Sequence, residues 1–285
     1  MTRTAYLNGE FLPLDEARVP VMDRGFLFAD GIYEVAAVLG GRLVDNAAHL
    51  ARLDRSLSEI GIRNPHTAQE WERLETELAE RNGLIEGLVY IQVTRGVAER
   101  DFSFPKGTVA PTVTMFTQAK SIVANPLAET GAKAITVPDL RWKRRDIKSV
   151  ALLAQVIAKQ QAAEAGAAEA FMIEDGVVTE GSSSSVFIVT KDGALVTRPL
   201  SHALLPGITR AAVLALAEET GIAFQERIIA ARELPEAAEA FYTSASAFVM
   251  PVVEIDGTTL GDGRPGPVAR RLRELYFAFA EGRRG

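Results

Sequence analysis

The sequence predicts an α+β fold of two domains whose sheets are mainly antiparallel. Short apolar runs are separated by the dipeptides Asn8-Gly9, Asp175-Gly176 and Asp192-Gly193, which are typical of tight turns between antiparallel strands. Segments with helical periodicity stand between these runs. A stretch without periodicity interrupts the chain near its middle, as expected for a boundary between two domains.

The length of the chain is consistent with this division. At 285 residues and 47% hydrophobic content, the chain can bury one large core or two ordinary ones. Residues 118–126 lose periodicity, and a strand pattern begins soon after them. We therefore predict a small N-terminal α+β domain at 1–117, a linker at 118–126 and a large C-terminal domain at 127–285.

Composition excludes several classes of function. The net charge of −6 disfavours a nucleic-acid partner, and we interpret the basic cluster from Arg141 to Arg145 as a solvated face. The absence of cysteine excludes disulfides and thiolate metal sites, and the three histidines share no ligand spacing, so we expect no metal. No signal core and no apolar run long enough for a bilayer is present, so we expect a cytoplasmic protein without a membrane partner.

The first domain opens with a hairpin and a glycine-punctuated loop. Its helix at 46–60 carries Leu50, Leu53 and Leu57 along one face, with His49 and Arg52 off that stripe. The predicted elements are a hairpin at 5–13, a loop from 23 leading into a strand that ends at 39, a hairpin strand at 42–44, helices at 46–60 and 68–82, and strands at 88–94 and 109–117. The loop at 94–105 is rich in charge and aromatic residues, so we expect binding groups there.

The second domain repeats the alternation of hairpins and helices. The two Asp-Gly turns each join a pair of apolar runs, and the alanine-rich stretch after Ser149 contains no helix breaker before Gly166. The predicted elements are a strand at 132–138, a helix from 149 to about 165, hairpins around 175–176 and 192–193, a helix at 209–220, strands at 225–229 and 240–243, and a helix at 267–280.

Lys148 stands directly before this alanine-rich stretch. Ser149 is a good helix N-cap, which places Lys148 just outside the positive end of a helix. An ammonium is disfavoured there, so the position suits a lysine that must give up its proton. A solvated lysine at a loop–helix junction is the more frequent case when this pattern is considered alone.

Three further features are individually weak. Glu180 precedes the run Gly181 to Ser185, which is either a flexible polar turn or a pocket floor with a carboxylate aimed at a ring nitrogen. The amides that follow Pro206-Gly207 begin a helix and could bind phosphate. Arg52 is either a phosphate ligand or an exposed helical arginine. A lysine, a carboxylate, an arginine and hydroxyls at a helix start are together what pyridoxal phosphate requires.

These residues also carry a family resemblance that covers almost the whole chain. The sequence resembles the fold-type IV pyridoxal-phosphate aminotransferases and, within them, the bacterial D-amino acid aminotransferases. The matching motifs, in order, are Asp23-Arg24-Gly25, Asp30-Gly31-Ile32-Tyr33-Glu34-Val35, Thr94-Arg95-Gly96 with Arg100, Asp146-Ile147-Lys148-Ser149, Thr179-Glu180-Gly181-Ser182-Ser183-Ser184, Gly207-Ile208-Thr209-Arg210 and Glu254-Ile255-Asp256-Gly257.

The resemblance implies a role for each matched residue. Lys148 forms the Schiff base with the cofactor and moves the substrate proton, and Glu180 pairs with the pyridine nitrogen. The other residues that the resemblance places at the cofactor, around its phosphate or its ring, are Arg52, Leu205, Ile208, Thr209, Ser244 and Ala245. Those that it places at the substrate are Tyr33, Arg100, Phe102 and Ser183. It also implies a homodimer.

Two departures from the family pattern concern specificity and cofactor affinity. Phe102 stands where a histidine is expected, which replaces a polar carboxylate contact by an aromatic wall. Ala245 stands where a phosphate-binding threonine is expected. The leading hypothesis is a D-amino acid transaminase, followed by an (R)-selective amine transaminase. A branched-chain L-amino acid aminotransferase, an aminodeoxychorismate lyase and a non-catalytic binder with this fold remain as alternatives.

Overall fold

The computed structural model describes residues 3–282 and divides into two compact units. The chain up to Ser121, together with Ile147–Ala151, forms the first unit. Ile122–Asp146 and the chain from Leu152 onward form the second. Within residues 3–282, no helix has the length and apolar character that crossing a membrane requires.

The first unit is an antiparallel sheet covered by helices. Its described elements are β1 (Thr4–Leu7), β2 (Glu10–Pro13), α1 (Arg24–Phe28), β3 (Gly31–Leu39), β4 (Arg42–Leu43), α2 (Asn46–Glu59), α3 (Ala68–Arg81), β5 (Glu86–Thr94) and β6 (Thr112–Ala119). The strand order is β2-β1-β6-β5-β3-β4. Both predicted hairpins and both predicted long helices are confirmed.

The core of the first unit lies between α2, α3 and the sheet. Leu53 and Leu57 of α2 pack with Trp71 of α3 and with strand residues such as Ile91, and all four are almost completely buried. Ile147, which is far along the chain, joins the same core. The apolar periodicity of α2 therefore identified its core face correctly.

The second unit is a larger mixed sheet with helices. Its described elements are α4 (Pro126–Thr130), β7 (Ala132–Pro138), α5 (Leu153–Glu164), β8 (Glu169–Glu174), β9 (Val177–Gly181), β10 (Ser185–Val189), β11 (Leu195–Thr197), α6 (Ile208–Glu219), β12 (Phe224–Glu226), a 3₁₀ turn (Ala231–Glu236), β13 (Glu239–Ser244), β14 (Phe248–Ile255), β15 (Thr258–Thr259) and α7 (Pro267–Ala280). The strand order is β12-β11-β10-β13-β14-β7-β8-β9, with β15 paired to β14.

The pairing in both sheets is mainly antiparallel, as predicted. The parallel pairs among the described strands are β11 with β12, β14 with β7, and β7 with β8. The Asp-Gly hairpins are confirmed as β8–β9 and β10–β11, and α7 has the predicted bounds.

The helix predicted from Ser149 begins later, so the N-cap assigned to Ser149 is wrong. α5 starts at Leu153. Residues before it are extended: Ser149 forms a β-bridge with Ile32, and the Ser149 hydroxyl accepts a hydrogen bond from the Ala151 amide at 3.3 Å. Because the backbone of this segment already bonds to a strand, its amides are not available to a helix.

Other boundaries also differ from the predictions. The loop after Asp23 contains the short helix α1, and β14 was not predicted. The apolar run of β14 has no alternation because it is buried almost throughout. β6 begins at Thr112 rather than at residue 109, and β12 is shorter than the strand predicted at 225–229.

Candidate active site

The backbone around Lys148 is fixed as an extension of the sheet in the first unit. The Tyr33 amide donates to the Lys148 carbonyl at 2.9 Å, and the Val150 amide donates to the Gly31 carbonyl at 3.1 Å. Ile147 and Ser149 are buried, whereas Lys148 is only half-buried. This alternation is expected of an extended segment, so the Lys148 side chain lies on the opposite face from Ile147.

The Lys148 ammonium lies over an aromatic ring. Its Nζ is 4.2 Å from the centre of the Tyr33 ring, a cation–π contact. Tyr33 stacks on Tyr90 at 5.7 Å, and Tyr90 stacks on Phe116 at 4.6 Å, so a row of rings crosses three strands. The Ser56 hydroxyl accepts a hydrogen bond from the Lys148 amide at 3.4 Å. We call Tyr33, Ser56 and Lys148 the lysine region.

Arg52 is buried in an ion pair, contrary to the interpretation that it is an exposed helical arginine. Its Nε and Nη2 donate to the two Glu34 oxygens at 2.9 and 2.6 Å, and His49 Nδ1 is 3.1 Å from the same carboxylate. Burial raises the pKa of Glu34, but the Arg52 charge and the His49 hydrogen bond outweigh it and hold that pKa well below its usual range. The buried face of α2 is thus wider than its leucine stripe.

The structure brings Arg100 and Phe102 together on the loop between β5 and β6. The Arg100 guanidinium is 5.3 Å from the centre of the Phe28 ring and 5.6 Å from that of Phe102. The Phe102 side chain is 81% exposed, and its ring centre lies 5.5 Å from that of Phe28. The aromatic wall expected of Phe102 is therefore part of a solvent-facing cluster with Arg100.

Glu180 in the second unit has both carboxylate oxygens engaged. The Leu205 amide donates to each of them at 3.2 Å. Arg141 Nη1 pairs with Glu180 Oε1 and Arg141 Nη2 with Asp139 at 2.7 Å. We call Asp139, Arg141, Glu180 and Leu205 the carboxylate region. Glu180 and Leu205 were predicted at the site, whereas Asp139 and Arg141 were missed.

Arg141 was missed because the basic cluster was interpreted as a solvated face, and that interpretation is wrong for two of its members. The side chains of Arg141 and Arg145 are 5% and 1% exposed. Burial lowers the pKa of Arg141, but the charges of Glu180 and Asp139 reverse this and raise it above its ordinary value. The spacing of Asp139 and Arg141, two residues apart on one extended chain, was the available sequence signal.

The run after Glu180 is a braced turn rather than a flexible one. Glu169 is buried and accepts hydrogen bonds from the hydroxyls of Ser182 and Ser184, the latter at 3.0 Å. A Cβ on Gly181 would lie 2.1 Å from the Ser184 hydroxyl, so a larger residue there would displace that hydroxyl from its bond to Glu169. Ser183, by contrast, is exposed.

Hydroxyls gather at the start of α6. Ser185 pairs with Thr243 across β10 and β13, and a Cβ on Gly207 would lie 2.5 Å from the Ser185 hydroxyl. The buried Thr243 hydroxyl has no hydrogen-bond partner among residues 3–282. Ser244 follows, its hydroxyl 3.4 Å from that of Ser246.

The predicted phosphate ligands thus lie on two chain segments. Ile208 and Thr209 begin α6, and Ser244 ends β13 with Ala245 directly after it. Gly207 is the N-cap of α6 and has no side chain to occupy the first amides of the helix. Free helix amides with neighbouring hydroxyls form a donor set that suits a phosphate dianion.

Comparison with known proteins gives a family match over most of the chain. The model of the family described as amino-transferase class IV matches residues 31–255. D-alanine aminotransferase of Staphylococcus aureus (strain N315) is 40% identical over 276 residues, 97% of either chain. D-alanine aminotransferase of Bacillus licheniformis is 42% identical over 268 residues, 93% of either chain.

Solved structures agree on the fold. Branched-chain amino acid aminotransferase of Escherichia coli superposes with a TM-score of 0.91 at 23% identity, covering 100% of this chain and 97% of that one. A second branched-chain amino acid aminotransferase, from T.th. and solved with pyridoxamine 5'-phosphate, has a TM-score of 0.90 at 27% identity, covering 100% and 96%.

Proposed function

The chain belongs to the class IV amino-transferases, and on this basis we propose that it transfers the amino group of a D-amino acid, such as D-alanine or D-glutamate, to a 2-oxo acid. The reaction would proceed as two half-reactions on pyridoxal phosphate, the cofactor of this class. The D-alanine aminotransferases that align with nearly the whole chain support the choice of donor.

The position of Lys148 carries this proposal. A strand-like segment fixes its backbone, while its half-buried ammonium rests on the face of Tyr33. A lysine that moves a proton must reach a substrate carbon from a defined origin and still rotate. We assign to Lys148 Nζ, as the neutral amine, the acceptance of the substrate α-proton.

We infer from the chemistry of their side chains and amides that the residues present suit the cofactor. Bound there, pyridoxal phosphate supplies an electron sink for the negative charge that develops at the substrate α-carbon. We assign Lys148 to its carbonyl carbon, Glu180 to its pyridine nitrogen and Leu205 to its ring. For its phosphate we assign the Ile208 and Thr209 amides, Arg52 and the Ser244–Ala245 segment. The unpartnered Thr243 hydroxyl and the uncapped start of α6 support the phosphate site.

We assign the substrate to Tyr33, Arg100, Phe102 and Ser183. Arg100 offers a planar guanidinium that can pair with an α-carboxylate through two hydrogen bonds. Phe102 adds apolar surface next to it, which favours donors with a bulky or aromatic side chain. The same apolar surface makes an (R)-amine, which lacks the carboxylate, the second candidate donor.

Two further proposals follow from the family. We propose that the enzyme is a homodimer that works in the cytoplasm. A sedimentation measurement that gives the mass of a single chain at working concentration would contradict the dimer.

The donor is tested by a half-reaction followed spectrophotometrically. The pyridoxal form is mixed separately with D-alanine, D-glutamate, L-leucine and (R)-1-phenylethylamine, and the loss of its long-wavelength absorbance is recorded. Rapid loss with the D-amino acids alone is the expected result. Rapid loss with the amine or with L-leucine alone would reject the D-amino acid specificity, and purified protein without any such band would favour a non-catalytic binder.

A further inference from the structure

The loop that carries Arg100 and Phe102 has no regular secondary structure between residues 98 and 111, and most of its side chains are exposed. A guanidinium that is to recognise a carboxylate through two bonds must nevertheless have a defined position. The question is therefore which buried contacts hold this loop.

Arg24, which lies on α1 and is 3% exposed, makes hydrogen bonds to this loop and to the residues that lead into it. Its backbone amide donates to the Gly96 carbonyl at 2.9 Å, near the start of the loop. Its Nη1 donates to the Asp101 carbonyl at 2.6 Å, and its Nε donates to Asp30 Oδ2 at 2.7 Å. One residue of α1 thus bonds to two points of the segment that contains the loop.

Arg95 donates to the same oxygen of the Asp30 carboxylate. Its Nε donates to Asp30 Oδ2 at 2.8 Å, and its Nη2 donates to the Ile60 carbonyl at 2.6 Å. Its guanidinium lies 3.6 Å from the centre of the Phe104 ring. Because its guanidinium is ionised, Arg24 makes a stronger hydrogen bond to the Asp101 carbonyl than a neutral donor would.

The carbonyl that Arg24 holds belongs to Asp101, the residue between Arg100 and Phe102. That carbonyl lies in the peptide between Asp101 and Phe102, so holding it restricts the backbone of Phe102 directly and that of Arg100 from one residue away. The Arg24 guanidinium also lies 4.7 Å from the centre of the Phe28 ring, which is the ring that Arg100 approaches at 5.3 Å. Arg24 therefore sets the backbone and the aromatic surface against which Arg100 rests.

We propose that Arg24 is a positioning residue for donor specificity: it holds the Asp101 peptide so that Arg100 meets the carboxylate of the donor. This inference rests on the proposed function for the identity of the donor. In this role Arg24 neither contacts the substrate nor takes part in proton transfer. Its loss therefore weakens the binding of carboxylate donors and leaves the rate at saturation nearly unchanged.

The test compares Arg24→Lys with wild type in the half-reaction. Lysine keeps the charge but lacks the fork that reaches both Asp30 and the Asp101 carbonyl. We expect the half-saturating D-alanine concentration to rise about tenfold, while the limiting rate constant stays nearly constant. The half-saturating concentration of (R)-1-phenylethylamine should rise much less, because the amine has no carboxylate for Arg100 and meets only the apolar surface. Arg100→Ala should raise the D-alanine constant further, and the matched control Arg73→Lys, at an exposed arginine of α3, should change neither.

The proposal would be overturned if Arg24→Lys weakened the binding of the amino acid and of the amine equally, or weakened the binding of neither. If wild type prefers L-leucine, that donor replaces D-alanine, so the specificity proposal fails while the role of Arg24 is still tested. Hydrogen–deuterium exchange of the protein serves as a second readout that needs no donor. Faster exchange at residues 101–104 in Arg24→Lys, and not in Arg73→Lys, is expected, and unchanged exchange there would also reject the role of Arg24.

Discussion

Lys148 and Glu180 are held by different kinds of contact. In the lysine region the hydrogen bonds go to the backbone of residues 148–150, and the ammonium rests on the Tyr33 ring. In the carboxylate region the side chain itself is bonded, with both Glu180 oxygens engaged by the Leu205 amide and one of them by Arg141. A side chain that carries a proton keeps rotational freedom, whereas one that keeps a fixed charge is immobilised.

The largest effect is expected from removing the Lys148 amine. Lys148→Ala should lower the rate of transamination by at least about 10⁴-fold, because no other group in the lysine region can take its place in proton transfer. The melting temperature should change little, since the contacts that hold this segment come from its backbone. Stopped-flow half-reactions and thermal unfolding measure the two quantities. Appreciable turnover in this variant would contradict the assignment of Lys148.

A smaller effect is expected from neutralising the immobilised group. Glu180→Gln keeps the shape of the side chain but removes its charge, so we expect kcat to fall by roughly 10²- to 10³-fold. Arg141 remains paired with Asp139 in this variant, which preserves the fold.

Glu174→Gln is the matched control for Glu180→Gln. Glu174 also pairs with a buried arginine, and the hydrogen bonds from Arg145 and Lys143 lower its pKa to about 2. The control should lose stability at neutral pH but keep its kcat within about twofold. A comparable loss of kcat in both variants would show that Glu180 acts only through the fold.

The smallest effect on turnover is expected at a buried carboxyl that has no arginine partner among residues 3–282. Glu75 is 1% exposed, and burial raises its pKa to about 8 although the Asn46 amide donates to it at 2.8 Å. When a carboxyl has a higher pKa in the folded state, the free energy of unfolding of the protein falls as pH rises from the unfolded pKa towards 8. The loss is up to about 1.4 kcal/mol per pH unit.

The free energy of unfolding of Glu75→Gln should therefore equal that of wild type near pH 4.5 and exceed it at pH 8. Urea unfolding at both pH values measures this difference. Glu80→Gln, on the exposed side of the same helix, serves as the control and should show no such pH-dependent gain. A stability difference from wild type that is independent of pH would contradict the assignment to Glu75. By contrast, Arg52 keeps the neighbouring buried Glu34 ionised.

Local sequence rules predicted the elements whose signals are local. The Asp-Gly hairpins and α7 follow from turn residues and helical periodicity, and both are confirmed. β14 was missed because a strand buried almost throughout has no alternation, and its run contains Pro251. The helix start at Ser149 was wrong because a bridge to Ile32, more than one hundred residues away in sequence, overrides the capping preference.

Predictions for the site divide along the same line. Lys148 and Glu180 were selected from sequence because their individually weak local signals coincide with motifs of a known family. Arg24 and Arg141 could not be selected, because each is a buried arginine whose partner becomes a neighbour only in the folded chain. A buried arginine and a solvated arginine look alike in a single sequence.

The segment Ile147–Ala151 belongs to the first unit although the chain on either side of it belongs to the second. A ribosome that has released residues 1–121 has therefore not yet supplied the strand that bonds to Gly31 and Tyr33, nor the Ile147 side chain that completes the core. Completion of the first unit must therefore wait until the opening stretch of the second, residues 122–146, has emerged as well. An expression fragment that ends near residue 121 would lack Lys148 and leave these backbone groups unpaired.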